Sequence, residues 1–165
     1  MNKVILGVIL GVVLMYVVVP VSTNVSERTA TSELTAQDYA EIEQLYWRYN
    51  HGSDFRDAEL FLSAFADNAI FKTGPEQEYV GMDELAALRV ERHAGKTGDN
   101  GSRHWNSSNY IKKTTEGAVG KVYWVVFNVS SGTPTVRVSG FYDDVYVKTD
   151  TGWKIKSRTI VRDGA

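Results

Sequence analysis

The chain contains no cysteine, which excludes disulfide staples, thiolate zinc sites, a cysteine nucleophile and a lipid-modified cysteine anchor. Redox chemistry would need a borrowed cofactor. No block of like charge is present either. Eighteen basic against 20 acidic residues give a formal charge of −2, so no basic field attracts nucleic acid, and nucleic acid is not an expected partner. The P-loop and dinucleotide fingerprints are missing, as is any internal repeat. Only three histidines occur, at His51, His93 and His104, and they lack metal-ligand spacing, so no metal site is expected.

What the sequence does have begins with an apolar run. Residues 4–21 carry no charge and follow Lys3, and about 18 such residues just suffice to cross about 30 Å of hydrocarbon as a helix. The positive flank fits a signal peptide or an uncleaved membrane anchor. Between Pro20 and Ser26 there is no good small-x-small cleavage site, which favours the anchor. Residues 22–34, rich in Ser, Thr and Glu, read as a flexible tether. Residues 35–165 then form one domain of roughly 130 residues, a size that buries a single substantial core. On this reading the domain is membrane-anchored outside the cytoplasm, or exported after signal cleavage.

Within the domain, Thr35 followed by Asp38 resembles an N-cap with an acid in the first turn. Tyr39, Ile42, Leu45, Tyr46 and Tyr49 recur at helical spacing to about His51, where Gly52 and Ser53 are expected to break the helix. A second helix is expected over 56–66, with Phe61, Leu62 and Phe65 as its apolar stripe, and Asp67-Asn68 as a turn. Short strands over 69–73 and 78–80 flank Gly74-Pro75. A third helix over 83–93 turns Leu85, Leu88 and Val90 inward. Residues 95–101 hold three glycines and read as a mobile loop, a candidate lid.

Beyond that loop the period switches to two, with strands expected over 104–113, 120–130, 135–148 and 152–161. The second contains Val122-Tyr123-Trp124-Val125-Val126-Phe127, apolar at both parities, as suits a central strand. In the third, Val136 and Val138 mark one parity and Phe141, Val145 and Val147 the other, which suggests a β-bulge at Gly140. In the last, Trp153 and Ile155 alternate against Lys154, Lys156 and Arg158. Arg137 and Arg158 read as outer-face charges. The order α-α-β-β-α-β-β-β-β predicts an α+β fold, a cone-shaped, curved antiparallel or mixed sheet wrapped around N-terminal helices and preceded by the N-terminal hydrophobic helix.

Several segments carry a family likeness. They are Ile42-Glu43-Gln44-Leu45-Tyr46-Trp47-Arg48-Tyr49 with Asp54-Phe55-Arg56-Asp57, Phe65-Ala66-Asp67-Asn68-Ala69-Ile70-Phe71, Arg103-His104-Trp105-Asn106-Ser107-Ser108, and Gly140-Phe141-Tyr142-Asp143-Asp144 leading to Gly152-Trp153-Lys154-Ile155. Together they resemble the SnoaL-like family of the nuclear transport factor 2-like superfamily, which also holds scytalone dehydratase, hexachlorocyclohexane dehydrochlorinase and ketosteroid isomerase. The resemblance implies a deep pocket for a small-molecule ligand, in which acid and base side chains move protons without a metal or organic cofactor. It also implies a homodimer through the open sheet. In the dehydrochlorinase-type pattern an Asp just after the first helix supports a His at the start of the sheet, and Asp54 and His104 occupy those positions. That pattern has a strand asparagine four residues after the histidine. Here Asn109 lies five after it, so either Asn106 takes the place or the strand bulges.

His104 is the candidate general base, since an imidazole titrates near neutrality and a carboxylate on its other nitrogen would fix the tautomer. Asp54 is either that carboxylate or the cap of the second helix. In a regular strand Asn106 and Ser108 would share the face of His104, with Trp105 and Ile111 pointing the other way. Tyr46 and Tyr49 are candidates for steadying a developing oxyanion, or plain core. The sequence thus points to a cofactor-independent lyase or isomerase on a small, largely apolar molecule. The catalytic candidates are His104 and Asp54, with Tyr46, Tyr49, Asn106 and Ser108 at the substrate. The alternative is a membrane-tethered, non-catalytic domain that binds a small ligand or dimerises, because fold alone says little about function.

Overall fold

A computed structural model describes residues 33–164; the expected anchor or signal and nearly all of the tether lie outside the described residues. Among the described residues no helix is long and apolar enough to cross a membrane. The elements are α1 (Ala36–Asp54), α2 (Ala58–Leu62), β1 (Phe65–Gly74), β2 (Gln77–Val80), α3 (Gly81–His93), β3 (Ser102–Lys113), β4 (Ala118–Asn128), β5 (Thr135–Thr149) and β6 (Gly152–Arg162), in the expected order. The strands form one curved sheet in the order β2-β1-β6-β5-β4-β3. Every pairing is antiparallel except β1 with β6, which is parallel. The helices cover its inner face, and Ile42, Leu45, Phe61, Phe71, Leu85, Val122 and Ile155 are sealed between the layers. Each such side chain contributes about 1.5–3 kcal/mol of burial.

Helix α1 starts on a capping box. Thr35 Oγ1 accepts from the Asp38 N–H, and the Asp38 carboxylate accepts from the Thr35 N–H at 2.9 Å. Asp38 also reaches the sheet, where Lys148 Nζ and Trp153 Nε1 each donate to Oδ1 at 2.7 Å. These donors, Lys148 first, hold its carboxyl well below the usual range. One acid therefore caps the helix and docks it on β5 and β6. Tyr39, expected inward, is instead exposed.

Gly52 and Ser53 do not end the helix, which runs on to Asp54. Gly52 serves a different purpose: a Cβ there would lie 2.5 Å from the backbone nitrogen of Phe61 and 2.7 Å from its Cα. Glycine is required for α2 to cross at that distance, not for a change of direction. The crossing leaves α2 only five residues, and Phe65 and Ala66, expected in the helix, open β1 instead. Asp67 and Asn68 lie in a strand irregularity between the Phe65↔Ile155 and Ile70↔Ser157 pairs rather than in a turn. In α3, Leu85 and Leu88 point inward but Val90 is 72% exposed, and Arg89 takes the buried place. Its guanidinium sits 4.2 Å from the Phe61 ring centre, and burial pulls its pKa down to about 10.

Three β-bulges decide which side chains face the helices. On β5 the extra residue is Arg137, between Val126↔Val138 and Phe127↔Val136, three positions before the expected Gly140. Past it, Tyr142, Asp144 and Tyr146 point inward while Val145 is exposed, the reverse of what the apolar residues suggested. On β6 the extra residue is Lys156, between Val145↔Ser157 and Tyr146↔Ile155. Trp153 and Ile155 face inward before it and Arg158 after it. Arg158 is therefore fully buried rather than an outer-face charge, whereas Arg137 is exposed. The third bulge, on β3, belongs to the site.

Candidate functional site

Asp54 is the last residue of α1 and His104 the third of β3. Asp54 Oδ1 lies 2.5 Å from His104 Nδ1, and Oδ2 accepts the His104 backbone N–H at 2.9 Å. A carboxylate only accepts, so Nδ1 carries the proton and Nε2 is the ring nitrogen left for a ligand. One acid thus fixes both the ring and the chain of a single residue. The carboxylate is 5% exposed and the imidazole 18%. Asp54 is not the cap of α2; Asp57 is, its Oδ1 accepting from the Leu60 N–H at 2.8 Å.

The two halves of this pair are clamped by Asn100. Its backbone N–H donates to Asp54 O and its Nδ2 to Ser53 O, both at 2.8 Å, while its Oδ1 accepts from the Ser102 N–H at 2.7 Å. One residue closes the C-terminus of α1 and opens β3. The neighbouring loop is tied down as well, because Arg56 Nη1 donates to the carbonyls of Gly98 and Asp99 at 3.1 and 2.7 Å. The segment 95–101, expected as a mobile lid, lies hydrogen-bonded across the end of α1.

Around His104, Tyr49 presents its ring edge-on at 6.2 Å, and Asn50 Nδ2 donates to His104 O at 3.3 Å and to Asn106 Oδ1 at 2.5 Å. Asn106 shares the inward face, as its position two residues after His104 predicts. Ser108 does not. It adopts a left-handed conformation, φ 56°, in the bulge between Ser107↔Tyr123 and Tyr110↔Lys121, and it is exposed. The extra residue moves Asn109 onto the helix side, where its Nδ2 meets Glu43 Oε1 at 3.4 Å, and turns Ile111 inward, opposite to the expectation. Of the two asparagine alternatives, the strand thus takes the bulge and also presents Asn106.

Tyr46 is not available to a ligand at this place. Its hydroxyl bonds Tyr146, whose own proton goes to Asp144 Oδ2 at 2.9 Å, so Tyr46 must spend its proton on Tyr146. Burial, and then the charge of Asp144, push the Tyr46 hydroxyl above its ordinary range. Asp144 in turn holds Arg158 in a two-pronged pair, Nε to Oδ1 at 2.9 Å and Nη2 to Oδ2 at 2.6 Å. The guanidinium lies over the rings of Tyr142 and Tyr49, 4.0 and 4.4 Å from their centres. Burial opposes its charge, but Asp144 prevails and holds its pKa above the usual value. The sequence reading missed this ion pair, as well as Asn50. The latter could have been flagged, since it lies four residues from both Tyr46 and Asp54 on the buried face.

No three His, Cys, Asp or Glu side chains cluster for a metal among the described residues. A cleft of about 1350 Å³ opens on another part of the surface, lined by Phe65, Asn68, Val119, Val145 and Lys156 among others, without His104 or Asp54. The outer face of β3 and β4 carries exposed Trp105, Tyr110 and Tyr123.

A family model for the SnoaL-like domain matches residues 34–159. No curated protein matches the chain. Among solved structures, a protein of unknown function with a cystatin-like fold from Nostoc punctiforme is 26% identical over 81% of this chain and 96% of its own, with a TM-score of 0.69. ActVI-ORFA from Streptomyces coelicolor is 21% identical over 77% and 98%, TM-score 0.66. A protein from Catenulispora acidiphila, solved in complex with S-DNPA, is 22% identical over 78% and 96%, TM-score 0.66. These likenesses bear on the fold.

Proposed function

The chain belongs to the SnoaL-like domain family, and from that premise we propose that it is a proton-transfer enzyme of the lyase or isomerase type acting on a small molecule. His104 Nε2 takes the proton, and Asp54 on Nδ1 holds the tautomer and stabilises the imidazolium that forms. Tyr49 and Asn106 flank the reacting centre. The observation that carries this reading is the 2.5 Å contact between Asp54 and His104 at a junction that Asn100 clamps from both sides. The residues named need no metal or organic cofactor for this step. By the same proposal, residues 1–21 hold the domain at a membrane facing away from the cytoplasm, or direct its export.

The test is proton exchange into a panel of small ketones and halogenated ring compounds in heavy water, followed by NMR. Exchange or elimination should fall by about 100-fold or more in His104→Ala. Asp54→Asn should weaken it and shift neutral His104 from the Nδ1–H to the Nε2–H tautomer in imidazole nitrogen shifts. Turnover that survives His104→Ala unchanged would remove His104 from the role. A second reading, a non-catalytic domain that dimerises through its sheet, draws on the outward Trp105, Tyr110 and Tyr123, each more than 60% exposed. Sedimentation of wild type against Trp105→Ser tests the dimer, and a panel in which no compound exchanges or eliminates would favour this reading over the enzyme.

A further inference from the structure

The turn that leads into His104 is a fixed frame. Gly101 takes φ 74°, a conformation that favours glycine. Its carbonyl accepts from the Val129 N–H at 2.9 Å, which pins the turn to the chain just past β4. Asp99 accepts from both terminal nitrogens of Arg103, the residue before His104, at 2.9 and 2.6 Å, and from the Gly101 N–H at 2.7 Å. Strand β3 thus starts from a place set by its neighbour strand and by its own loop. The end of α1 depends on help from outside the helix, because its last carbonyls have no partner within it. Asp54 is its final residue, and the chain reverses at once through Arg56 at φ 55°.

Asn100 joins the two, and its amide has no equivalent among the other side chains of its length. The Ser53 carbonyl only accepts and the Ser102 N–H only donates, so one side chain must offer a donor to the first and an acceptor to the second. Aspartate keeps the bond to Ser102 and sets oxygen against oxygen at Ser53. Alanine loses both. We propose that Asn100 is a positioning residue for the Asp54–His104 pair, carrying the fixed frame of β3 across to the end of α1 and so setting where the Asp54 carboxylate meets Nδ1. It acts through Asp54, whose own carbonyl accepts the Asn100 N–H. This deepens the proton-transfer reading and rests on it for any effect on turnover, though not for the effect on the ring.

The imidazole nitrogen spectrum of the full chain, recorded with no ligand added, tests this. Three histidines contribute, and His104→Ala identifies the relevant signals. In wild type the neutral ring should carry its proton on Nδ1. Asn100→Asp should shift it toward the Nε2–H tautomer, and Asn100→Ala at least as far. The control is Asp38→Asn, which loosens the opposite end of the same helix, about 24 Å away along its axis. It should lower the melting temperature and leave the His104 tautomer unchanged. If Asn100→Asp does the same, melting lower with the ring unmoved, Asn100 is merely structural and the proposal is overturned. With any panel compound that turns over, Asn100→Asp should lower kcat by about 10- to 100-fold and leave KM nearly unchanged. A tautomer that shifts while turnover persists would support the hold of Asn100 on the pair and count against His104 as the base.

Discussion

Gly52→Ala offers the sharpest conflict between local propensity and packing. Gly52 lies in the last turn of α1, where alanine is favoured over glycine by at most about 1 kcal/mol, and by that rule the variant is more stable. The structure predicts the opposite sign. The new methyl would sit 2.5 Å from the backbone nitrogen of Phe61 and 2.7 Å from its Cα and Cβ, and a backbone cannot swing aside as a long side chain can. Overpacking costs about 1–3 kcal/mol where neighbours are able to adjust, and α2 is held at this point by its Asp57 cap and by the burial of Phe61. Because α2 cannot give way, the cost is taken at the upper end, about 3 kcal/mol; with the propensity gain of about 1 kcal/mol subtracted, a net loss of about 2 kcal/mol is expected, or a melting temperature lower by roughly 6 to 10 °C. Urea unfolding followed by far-ultraviolet circular dichroism measures it. A variant as stable as wild type, or more so, would refute the account of the α1–α2 crossing.

Asp144→Asn should cost about 3–5 kcal/mol, because it leaves the sealed Arg158 charge without its partner; the pair Asp144→Leu with Arg158→Met should lose much less, and equal losses in chemical denaturation would count against the ion pair as the cause. Asp38 makes an acid-limb prediction. Its carboxyl is depressed in the folded state by Lys148, Trp153 and Thr35, so its contribution is full above the unfolded value near pH 4 and is lost as pH falls below it. Wild type should therefore lose stability more steeply between about pH 4 and 2 than Asp38→Asn, and parallel curves in an acid titration of the melting temperature would contradict the cap.

The order of elements was legible because hydrophobic period is a local property. Tyr46, Leu45 and Ile42 reveal a helix, and the change to alternation after residue 101 reveals strands, with no tertiary information. What was illegible depends on single-residue insertions and on contacts. Arg137 and Lys156 each add a residue to one strand without any mark in composition, and each reverses which side chains face the helices. That is how Arg158 moved from the expected surface to the interior. Gly52 was misread because glycine is equally the residue of a helix end and of a close crossing, and only the position of Phe61 decides. The Asp54–His104 pair was legible through its motif wording. Tyr46 was not, since only the chain of bonds through Tyr146 to Asp144 shows where its proton goes.

Two of the buried carboxylates, Asp54 and Asp144, have the same length and opposite consequences, and their partners explain why. Asp144 has both oxygens on one guanidinium and a tyrosine, all sealed, so its charge is fully spent on holding β5 to β6. Asp54 has both oxygens on one residue, and that residue keeps a ring nitrogen and an exposed edge. The Tyr49 ring lies between the two systems, over Arg158 on one side and against His104 on the other. Substitution at Asp144 must therefore act first on the fold. Asp54→Asn can keep a carbonyl oxygen toward the His104 backbone N–H, so it should act first on the imidazole and only weakly on stability, by about 1 kcal/mol or less. A melting curve and the imidazole nitrogen spectrum of that one variant separate the roles: a fold lost along with the tautomer would make Asp54 a structural acid like Asp144, and the proton-transfer reading would lose its orienting group.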